Sequence, residues 1–260
     1  RNRKSFAVIA AMLALSVLLA ACGSKSTAPT TTQPSTQTPS SETSSTTPSD
    51  SASESGPKVG GEVTLRLAAD PDSLNPILYS TAYSGMVTSL VYSGLFWFDT
   101  DWSPKGDLAK EWETLDDGLT FRVKLREGVK FHDGNELTSE DVVFTFKTIK
   151  HPDYQGPRAA DLEPIEDIVA VDKYTVDFKL KEPFAPIIHN ITYGIMEKKL
   201  FEDVEVADLG NHKYSWEPIG TGPYIFKEYV RGQYVLLERN PNWFRSEEEG
   251  GAPFIQTIRM

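Results

Sequence analysis

The chain has 260 residues, of which 39% are hydrophobic, and its 37 acidic and 26 basic residues give a formal net charge of −11. This acidic balance leaves no basic stripe to neutralise phosphates, so the composition argues against a nucleic-acid partner. The length allows one large or two small domains with cores of their own, and the single cysteine excludes a disulfide within the chain.

The N-terminus predicts export. Three of the first four residues are basic, and the apolar run 6–21 that follows is too short to span a bilayer, which takes about 20 apolar residues. These features are typical of a secretory signal peptide, placed here at residues 1–21. The run ends in Leu19-Ala20-Ala21-Cys22-Gly23, which resembles a bacterial lipobox. We therefore predict that Cys22 starts the mature chain and carries a lipid anchor with acyl chains such as palmitate, the alternative being an incidental cysteine.

Residues 22–57 predict a disordered tether that begins at the lipidated cysteine. Serine, threonine and proline dominate this stretch, and such a composition buries too little apolar surface to offset the entropy of ordering. About 35 residues of flexible chain reach roughly 30–35 Å on average. A glycosylated stalk is compatible with the same composition.

The first folded segments predict a strand, a loop and a helix. Apolar and polar residues alternate over 63–67, which indicates a strand. Turn-forming residues fill 69–76. The apolar stretch 84–98 then predicts a helix that leads into a strand near Leu95.

The middle of the chain predicts a strand and one capped helix. Residues 120–126 alternate between apolar and charged, as in a half-buried strand, and 131–134 has the composition of a turn. Thr138 and Asp141 have the spacing of a capping box at the start of a helix that Pro152 ends.

The last part predicts more strands. One covers 174–180, and a hairpin joins 224–230 to 234–238. The chain stops at 258–260 inside another apparent strand, where we expect an unpaired edge and therefore a truncated chain. Strands interleaved with a few helices predict an α/β (mixed α+β) fold.

Residues suited to catalysis or metal binding are not grouped. The four histidines are scattered, and neither an HExxH nor a GxSxG motif is present. Gly220-Thr221-Gly222-Pro223 lacks the third glycine and the Lys-Ser/Thr pair of phosphate loops, and Pro223 removes an amide donor. The sequence predicts a protein that is not an enzyme and has no metal or cofactor, with Gly220–Pro223 shaping the chain.

Six motifs in chain order carry a resemblance to a known family. They are Asp107–Glu113 (DLAKEWE), Asp117–Phe121 (DGLTF), Lys124–Gly134 (KLREGVKFHDG), Thr138–Val142 (TSEDV), Gly220–Tyr224 (GTGPY) and Glu238–Trp243 (ERNPNW). As a set they resemble the family 5 solute-binding proteins of ABC importers, which include oligopeptide, dipeptide and nickel binders.

The resemblance implies a two-lobed periplasmic-binding-protein-like clamshell of three sub-domains. The first sub-domain would be discontinuous, from 58–95 and 197–260, and the second would be an insertion at 96–196. The third would form the second lobe after Met260 and is absent, so the chain would be truncated before it. The resemblance also implies a monomer that works with ABC permease subunits.

Two segments match family regions that line the ligand cavity. The loop Tyr79-Ser80-Thr81-Ala82-Tyr83 is expected to pair with an extended peptide through its backbone and hydroxyls, and an ordinary helix entry is the alternative. Arg158 is expected to bind a ligand carboxylate bidentately, and a solvated arginine is the alternative.

The resulting prediction is an extracytoplasmic, lipid-anchored solute-binding protein that takes short peptides to a permease in the bacterial cell membrane. A peptide-sensing receptor and a nickel or oligosaccharide binder of the same family stay open as alternatives. A cell-surface hydrolase with its site in the missing part is the least favoured.

Overall fold

The computed structural model describes residues 57–260. The predicted signal peptide, Cys22 and the tether up to residue 56 lie outside the described residues. Within 57–260, no helix combines the length and the apolarity needed to cross a bilayer.

Ten strands and four α-helices make up the described part. The strands are β1 (Gly60–Thr64), β2 (Phe96–Phe98), β3 (Pro104–Gly106), β4 (Ala109–Leu115), β5 (Thr120–Leu125), β6 (Ile165–Asp172), β7 (Thr175–Leu180), β8 (Tyr224–Val230), β9 (Tyr234–Arg239) and β10 (Ile255–Arg259). The helices are α1 (Ala82–Val91), α2 (Ser139–Lys150), α3 (Ile187–Asn190) and α4 (Lys198–Phe201). This mixture confirms the predicted fold class.

The first sheet joins the two ends of the described chain in the order β1-β10-β9-β8. β1 pairs in parallel with β10, and the other pairs are antiparallel. The predicted hairpin is confirmed as β8 and β9. The expectation of an unpaired edge at the last strand is wrong, because β1 and β9 bond to the two sides of β10.

β1 is shorter than its sequence pattern predicts. It ends at Thr64, and the Leu65 side chain is 38% exposed. Its partner β10 ends at Arg259, opposite Thr64. The last bond between the two strands is from the Leu65 amide to the Arg259 carbonyl, and β1 has no strand to pair with beyond it.

Helix α1 covers the first sheet. Val87 and Val91 of α1 pack with Tyr224, Leu237 and Ile258 in the smaller of two apolar cores. The first turn of α1 contains two of the predicted ligand residues, so this packing fixes their position relative to the sheet.

The second sheet is antiparallel, in the order β4-β5-β7-β6, and α2 packs on β6 and β7. The alternation predicted for β5 is confirmed, since Phe121, Val123 and Leu125 are buried. The capping box is also confirmed, because Asp141 Oδ2 accepts the Thr138 amide at 2.8 Å.

The second sheet has the larger core. Phe201 and Leu209, which the sequence assigns to the first sub-domain, pack in this larger core. The sub-domain bounds stay a prediction.

Candidate functional site

One carboxylate organises the loop that leads into α1. Asp72 Oδ2 accepts hydrogen bonds from the Ser80 amide (2.9 Å) and hydroxyl, and Oδ1 accepts from the hydroxyls of Thr81 (2.9 Å) and Ser84. The Thr81 amide also points at Oδ1, at 3.4 Å. Burial alone would raise the pKa of Asp72, but the bonds from Ser80, Ser84 and Thr81 hold it well below its usual range. The carboxylate is therefore ionised at neutral pH.

Thr81 is the residue at which α1 begins. Its backbone is extended (φ −96°, ψ 150°), and its hydroxyl accepts the Ser84 amide at 3.3 Å, as expected of an N-cap. The buried Ser84 hydroxyl in turn accepts the Asp72 amide at 2.9 Å. Because loop and helix are tied in both directions, Ser80 and Thr81 keep a fixed orientation.

Arg158 contacts Tyr79, which precedes Ser80 and the N-cap residue Thr81 in the chain. Its Nη2 atom donates to the Tyr79 carbonyl at 3.2 Å. The guanidinium carbon lies 4.8 Å from the ring centroid of Tyr79 and 4.9 Å from that of Tyr193, an arrangement that favours a cation. Its Nε atom is buried without a hydrogen-bond partner among the described residues.

The Tyr193 ring is itself held in place. Its hydroxyl donates to the carboxylate of Asp161, and burial together with this bond raises the pKa of Tyr193 above its usual range. The Asn190 side chain donates to the Asp161 carbonyl at 2.5 Å. The aromatic wall beside Arg158 is therefore rigid and its tyrosine stays protonated.

Tyr79 and Arg158 line a cleft of about 260 Å³. The other residues around the cleft are Pro76, Thr88, Ser89, Tyr92, Gly94, Phe96, Trp97, Asp107, Thr192, Tyr193 and Gly194. Tyr92 is 5% exposed, and its hydroxyl has no partner among the described residues. Asp107 is already paired with Arg245 at 3.1 Å. Arg158 is thus the charge that this cleft offers to a ligand.

The structure brings together two of the six predicted binding residues. Tyr79 and Arg158, far apart in sequence, stack on each other. Arg158 is only partly exposed. Ala82 is exposed and Tyr83 half-buried in the first turn of α1, and neither lines the cleft.

Ser80 and Thr81 follow Tyr79 in the chain but, like Ala82 and Tyr83, do not line the cleft. The sequence predicts that the backbone of Ser80 and Thr81 pairs with an extended peptide. Their amides instead donate to Asp72, so those two donors are not available to a ligand in this structure. The assignment of all six residues to ligand binding stays a prediction.

Sequence reasoning missed four residues of this region: Asp72, Tyr92, Trp97 and Tyr193. Asp72 appears in the sequence only as one of several turn formers. The three aromatics lie in apolar stretches, where a core position is the ordinary expectation.

Three sequence motifs meet at the C-terminal end of α1. His132 Nδ1 accepts the Gly220 amide at 3.3 Å, and Nε2 donates to the Gly222 carbonyl at 3.0 Å. The Asn240 side chain donates to the same carbonyl at 3.0 Å, and the Gly222 amide donates to the Val91 carbonyl at 2.9 Å. These contacts support the expectation that Gly220–Pro223 shapes the chain, and we name the group the glycine junction.

A larger groove, of about 480 Å³, lies between residues 64–71 and the turn that joins β8 to β9. It contains none of the predicted binding residues, and the Arg259 guanidinium there lies 3.7 Å from the centroid of the Tyr234 ring. Within residues 57–260, no group of three or more His, Cys, Asp or Glu side chains could hold a metal ion. The cleft beside Tyr79 is therefore the candidate site.

Comparison with known proteins gives a consistent result. Residues 103–260 match the model of the bacterial extracellular solute-binding proteins, family 5 middle region. The chain is 31% identical over 262 residues to the oligopeptide-binding protein AppA of Bacillus subtilis, which covers 99% of this chain and 44% of that protein.

Solved structures show the same fold. The structure of B. subtilis AppA in complex with a nonapeptide has a TM-score of 0.73 and 34% identity, over 78% of this chain and 40% of AppA. NikZ of Campylobacter jejuni in complex with Ni(L-His) has a TM-score of 0.63 and 27% identity, over 78% of this chain and 38% of NikZ. The chain thus spans less than half the length of these relatives.

Proposed function

We propose, from the premise that this chain belongs to the bacterial extracellular solute-binding proteins of family 5, that it binds short peptides and delivers them to an ABC permease. The similarity to an oligopeptide-binding protein and to a nonapeptide complex supports peptides as the ligand class. The observation that carries the proposal is Arg158, which is stacked between Tyr79 and Tyr193 and, among the described residues, has only the Tyr79 carbonyl as a hydrogen-bond partner.

Arg158 is suited to a ligand carboxylate. A guanidinium has five N–H donors in a planar fork, and the structure uses one of them on the Tyr79 carbonyl. Its Nε atom is buried, and the remaining Nη1 and Nη2 donors match the two oxygens of a carboxylate, either a side chain or the carboxyl end of a peptide. The aromatic rings around the cleft would then pack against an apolar side chain of the ligand.

The complete protein would act as a clamshell. Ligand contacts to both lobes stabilise the closed form, and a population shift to that form would present a surface that the permease recognises. The described residues would supply one lobe, which agrees with the share of its relatives that the chain spans. No covalent chemistry is required, and we propose a binding protein rather than an enzyme.

The cellular setting follows the same proposal. Cys22 would carry the lipid anchor and residues 22–57 would act as a tether, so that a monomeric binding domain stays near the permease. A tether of about 35 residues gives a local concentration that depends on its length rather than on affinity for the membrane.

A metal complex is the second candidate ligand class. The similarity to NikZ in complex with Ni(L-His) favours it, since such a complex also presents a carboxylate that Arg158 would bind.

Titration calorimetry on the full-length protein tests the ligand class. We expect peptides of graded length to bind, and nickel–histidine complexes and oligosaccharides to bind much more weakly. Arg158→Gln should weaken carboxylate-bearing peptides by about tenfold or more, because one charge-assisted contact is lost. Arg231→Gln is the matched control, since the Arg231 side chain is 87% exposed and lies outside the cleft.

Two outcomes would contradict the proposal. Tight binding of nickel–histidine without any peptide response would replace the ligand class. Equal peptide affinity of the Arg158→Gln and Arg231→Gln variants would remove Arg158 from the site.

A further inference from the structure

Tyr92 carries a buried hydroxyl that lacks a hydrogen-bond partner. The residue is 5% exposed and lines the cleft together with Tyr79 and Arg158. Among the described residues, nothing donates to its hydroxyl or accepts from it. A buried tyrosine hydroxyl usually has a partner, because an unsatisfied polar hydrogen is costly away from water. The missing partner therefore needs an explanation.

The other buried tyrosines show the usual arrangement. The Tyr154 hydroxyl donates to the Ile77 carbonyl, and the Tyr224 hydroxyl donates to the Ile255 carbonyl at 3.2 Å. Neither of these two tyrosines lines the cleft. Among the buried tyrosines of residues 57–260, the one at the cleft is thus the one whose hydroxyl has no acceptor.

Packing fixes the Tyr92 ring. A Cβ atom added at Gly220 would lie 2.9 Å from Cδ1 of the ring, and one added at Gly194 would lie 3.2 Å from Cγ, so both glycines allow a close approach of the backbone. The Tyr92 amide donates to the Thr88 carbonyl at 2.8 Å, where the residue caps the end of α1. The ring therefore has little freedom to carry its hydroxyl to another acceptor. Burial also raises the pKa of Tyr92, so the hydroxyl keeps its hydrogen.

The buried wall of the cleft has more donors than acceptors. Arg158 Nε is the other side-chain atom of the cleft that is buried without a partner among the described residues, and an arginine nitrogen can only donate. The hydroxyls of Thr88 and Ser89 are already used, since they donate to the carbonyls of Gly85 and Met86. A ligand that satisfies this wall brings oxygen acceptors.

We propose that the Tyr92 hydroxyl is a binding group of this cleft and donates a hydrogen bond to an oxygen acceptor of the ligand. This inference rests on the proposed function, because it adds a second donor beside Arg158 to the same site. The acceptor is either an oxygen of the carboxylate that Arg158 binds or a main-chain carbonyl of the peptide. Contact requires a small side-chain movement at the cleft, which is common when a ligand binds.

Tyr92→Phe in the full-length protein tests the inference through two measurements. The probes are peptides of graded length up to nine residues, the length of the peptide in the AppA complex, titrated by calorimetry. We expect their affinity to fall by about tenfold, because one buried hydrogen bond is lost. The urea midpoint of the protein without peptide should stay equal or rise, because an unsatisfied buried hydroxyl is removed while the ring remains.

Tyr224→Phe is the matched control. Tyr224 is also 5% exposed, but it lies outside the cleft and its hydroxyl donates to a carbonyl. This variant should lower the urea midpoint and leave the peptide affinity unchanged. Because both substitutions remove the same atom, opposite patterns distinguish a hydroxyl that binds ligand from one that stabilises the fold.

Combining Tyr92→Phe with Arg158→Gln identifies the acceptor. If both residues bind one carboxylate, the double variant should lose less affinity than the product of the two single losses. If Tyr92 binds a main-chain carbonyl, the two losses should multiply. Both results support the inference and differ only in the oxygen that Tyr92 binds.

The outcomes keep this inference apart from the proposed function. Unchanged peptide affinity of Tyr92→Phe would overturn the inference and leave the proposed function standing. A loss of affinity together with a midpoint as low as that of Tyr224→Phe would show a structural hydroxyl and also overturn it.

Nickel–histidine is the second probe, for the case in which the unmodified protein binds no peptide. Binding of nickel–histidine alone would contradict the proposed ligand class, and Tyr92→Phe is then titrated with that complex, which also carries a carboxylate. A loss of about tenfold would support the inference, and equal affinity would overturn it. If the unmodified protein binds none of these probes, the proposed function and the inference both fail.

Discussion

The two ends of α1 are held by polar contacts of opposite character. At the N-terminal end, the ionised Asp72 is largely exposed and gathers the hydrogens of Ser80, Thr81 and Ser84. At the C-terminal end lies the glycine junction, in which a neutral imidazole bonds to the backbone. Burial lowers the pKa of His132, an effect that the Gly222 carbonyl partly offsets.

The difference bears on stability. An exposed carboxylate with a strongly lowered pKa keeps its charge at any pH near neutrality, so the N-terminal end of α1 should not respond to moderate acid. The junction has close backbone contacts and contains the imidazole of His132, whose protonation in acid changes the charge there. Substitutions at the junction should therefore affect stability strongly, and substitutions at the exposed N-terminal end of α1 should affect it less.

The largest effect is expected for Gly220→Ala. The added Cβ would lie 2.1 Å from the Val91 carbonyl oxygen, so the junction must open. We expect a loss of about 3 kcal/mol or more in the free energy of unfolding, measured by urea denaturation. Gly210→Ala is the control, because nothing lies within 4 Å of its Cβ, and it should change stability by less than about 0.5 kcal/mol. Equal stability of the two variants would show that the close backbone contact at Gly220 does not stabilise the fold.

Glu197→Gln should give the next largest effect, with a sign that depends on pH. Burial, followed by the charges of Asp133 and Asp141, raises the pKa of Glu197 to about 7, against an ordinary value of 4.5. The native state holds this proton more tightly, so its stabilising contribution is full below pH 4.5 and lost as pH rises through 7. We expect Gln to raise stability at pH 8 by about 1–3 kcal/mol and to change little at pH 4.

The measurement is the pH profile of the unfolding free energy in both proteins. Gln retains the oxygen that accepts the Asn135 side chain at 2.7 Å, so that contact serves as an internal control. A constant difference between the two profiles at all pH values would show that Glu197 does not titrate in this range.

His132→Gln should change the opposite limb of the same profile. Because the native pKa of His132 is lowered, its contribution to stability is full above pH 6.5 and is lost as pH falls through the native value. Protonation would also put a hydrogen on Nδ1, where the Gly220 amide now donates. Between pH 7 and 5, the unfolding free energy of the variant should fall by about 1 kcal/mol less than that of the unmodified protein. An unchanged slope there would contradict the neutral imidazole.

Asp72→Asn should have the smallest effect on stability. Its hydrogen bonds are exposed or partly buried, and exposed contacts of this kind contribute about 1 kcal/mol or less. We expect a decrease in unfolding free energy below about 1 kcal/mol, with no change in its pH dependence above pH 5. A loss as large as that of Gly220→Ala would mean that both ends of α1 serve the fold alike.

The sequence was most informative where the pattern was strictly local. The alternation over 120–126, the capping box of Thr138 and Asp141 and the β8–β9 hairpin each depend on a few neighbouring residues, and the structure has all three. β4 was not predicted, because most of its residues are exposed on both faces of an edge strand and no alternation results.

The candidate site was only partly predictable for the same reason. Tyr79 and Arg158 were selected by resemblance, and no pattern indicated that their side chains would stack. Tyr193 completes the stack through a contact between distant parts of the chain. The hydrogen bonds of Asp72 depend on how a loop folds back on a helix, and turn composition alone does not specify that geometry.

The parallel pairing of β1 with β10 bears on when the sheet can form. Gly60 pairs with Ile255 and Thr64 with Arg259, so the first strand has no partner until nearly all of the described chain is available. Contacts this distant in sequence fold slowly, because a long loop must close before they form. A polypeptide that crosses a membrane unfolded gains from such a delay, since its first sheet cannot close while the C-terminal part is still inside the cell. In an exported chain, this strand order would by itself delay the closure of the sheet.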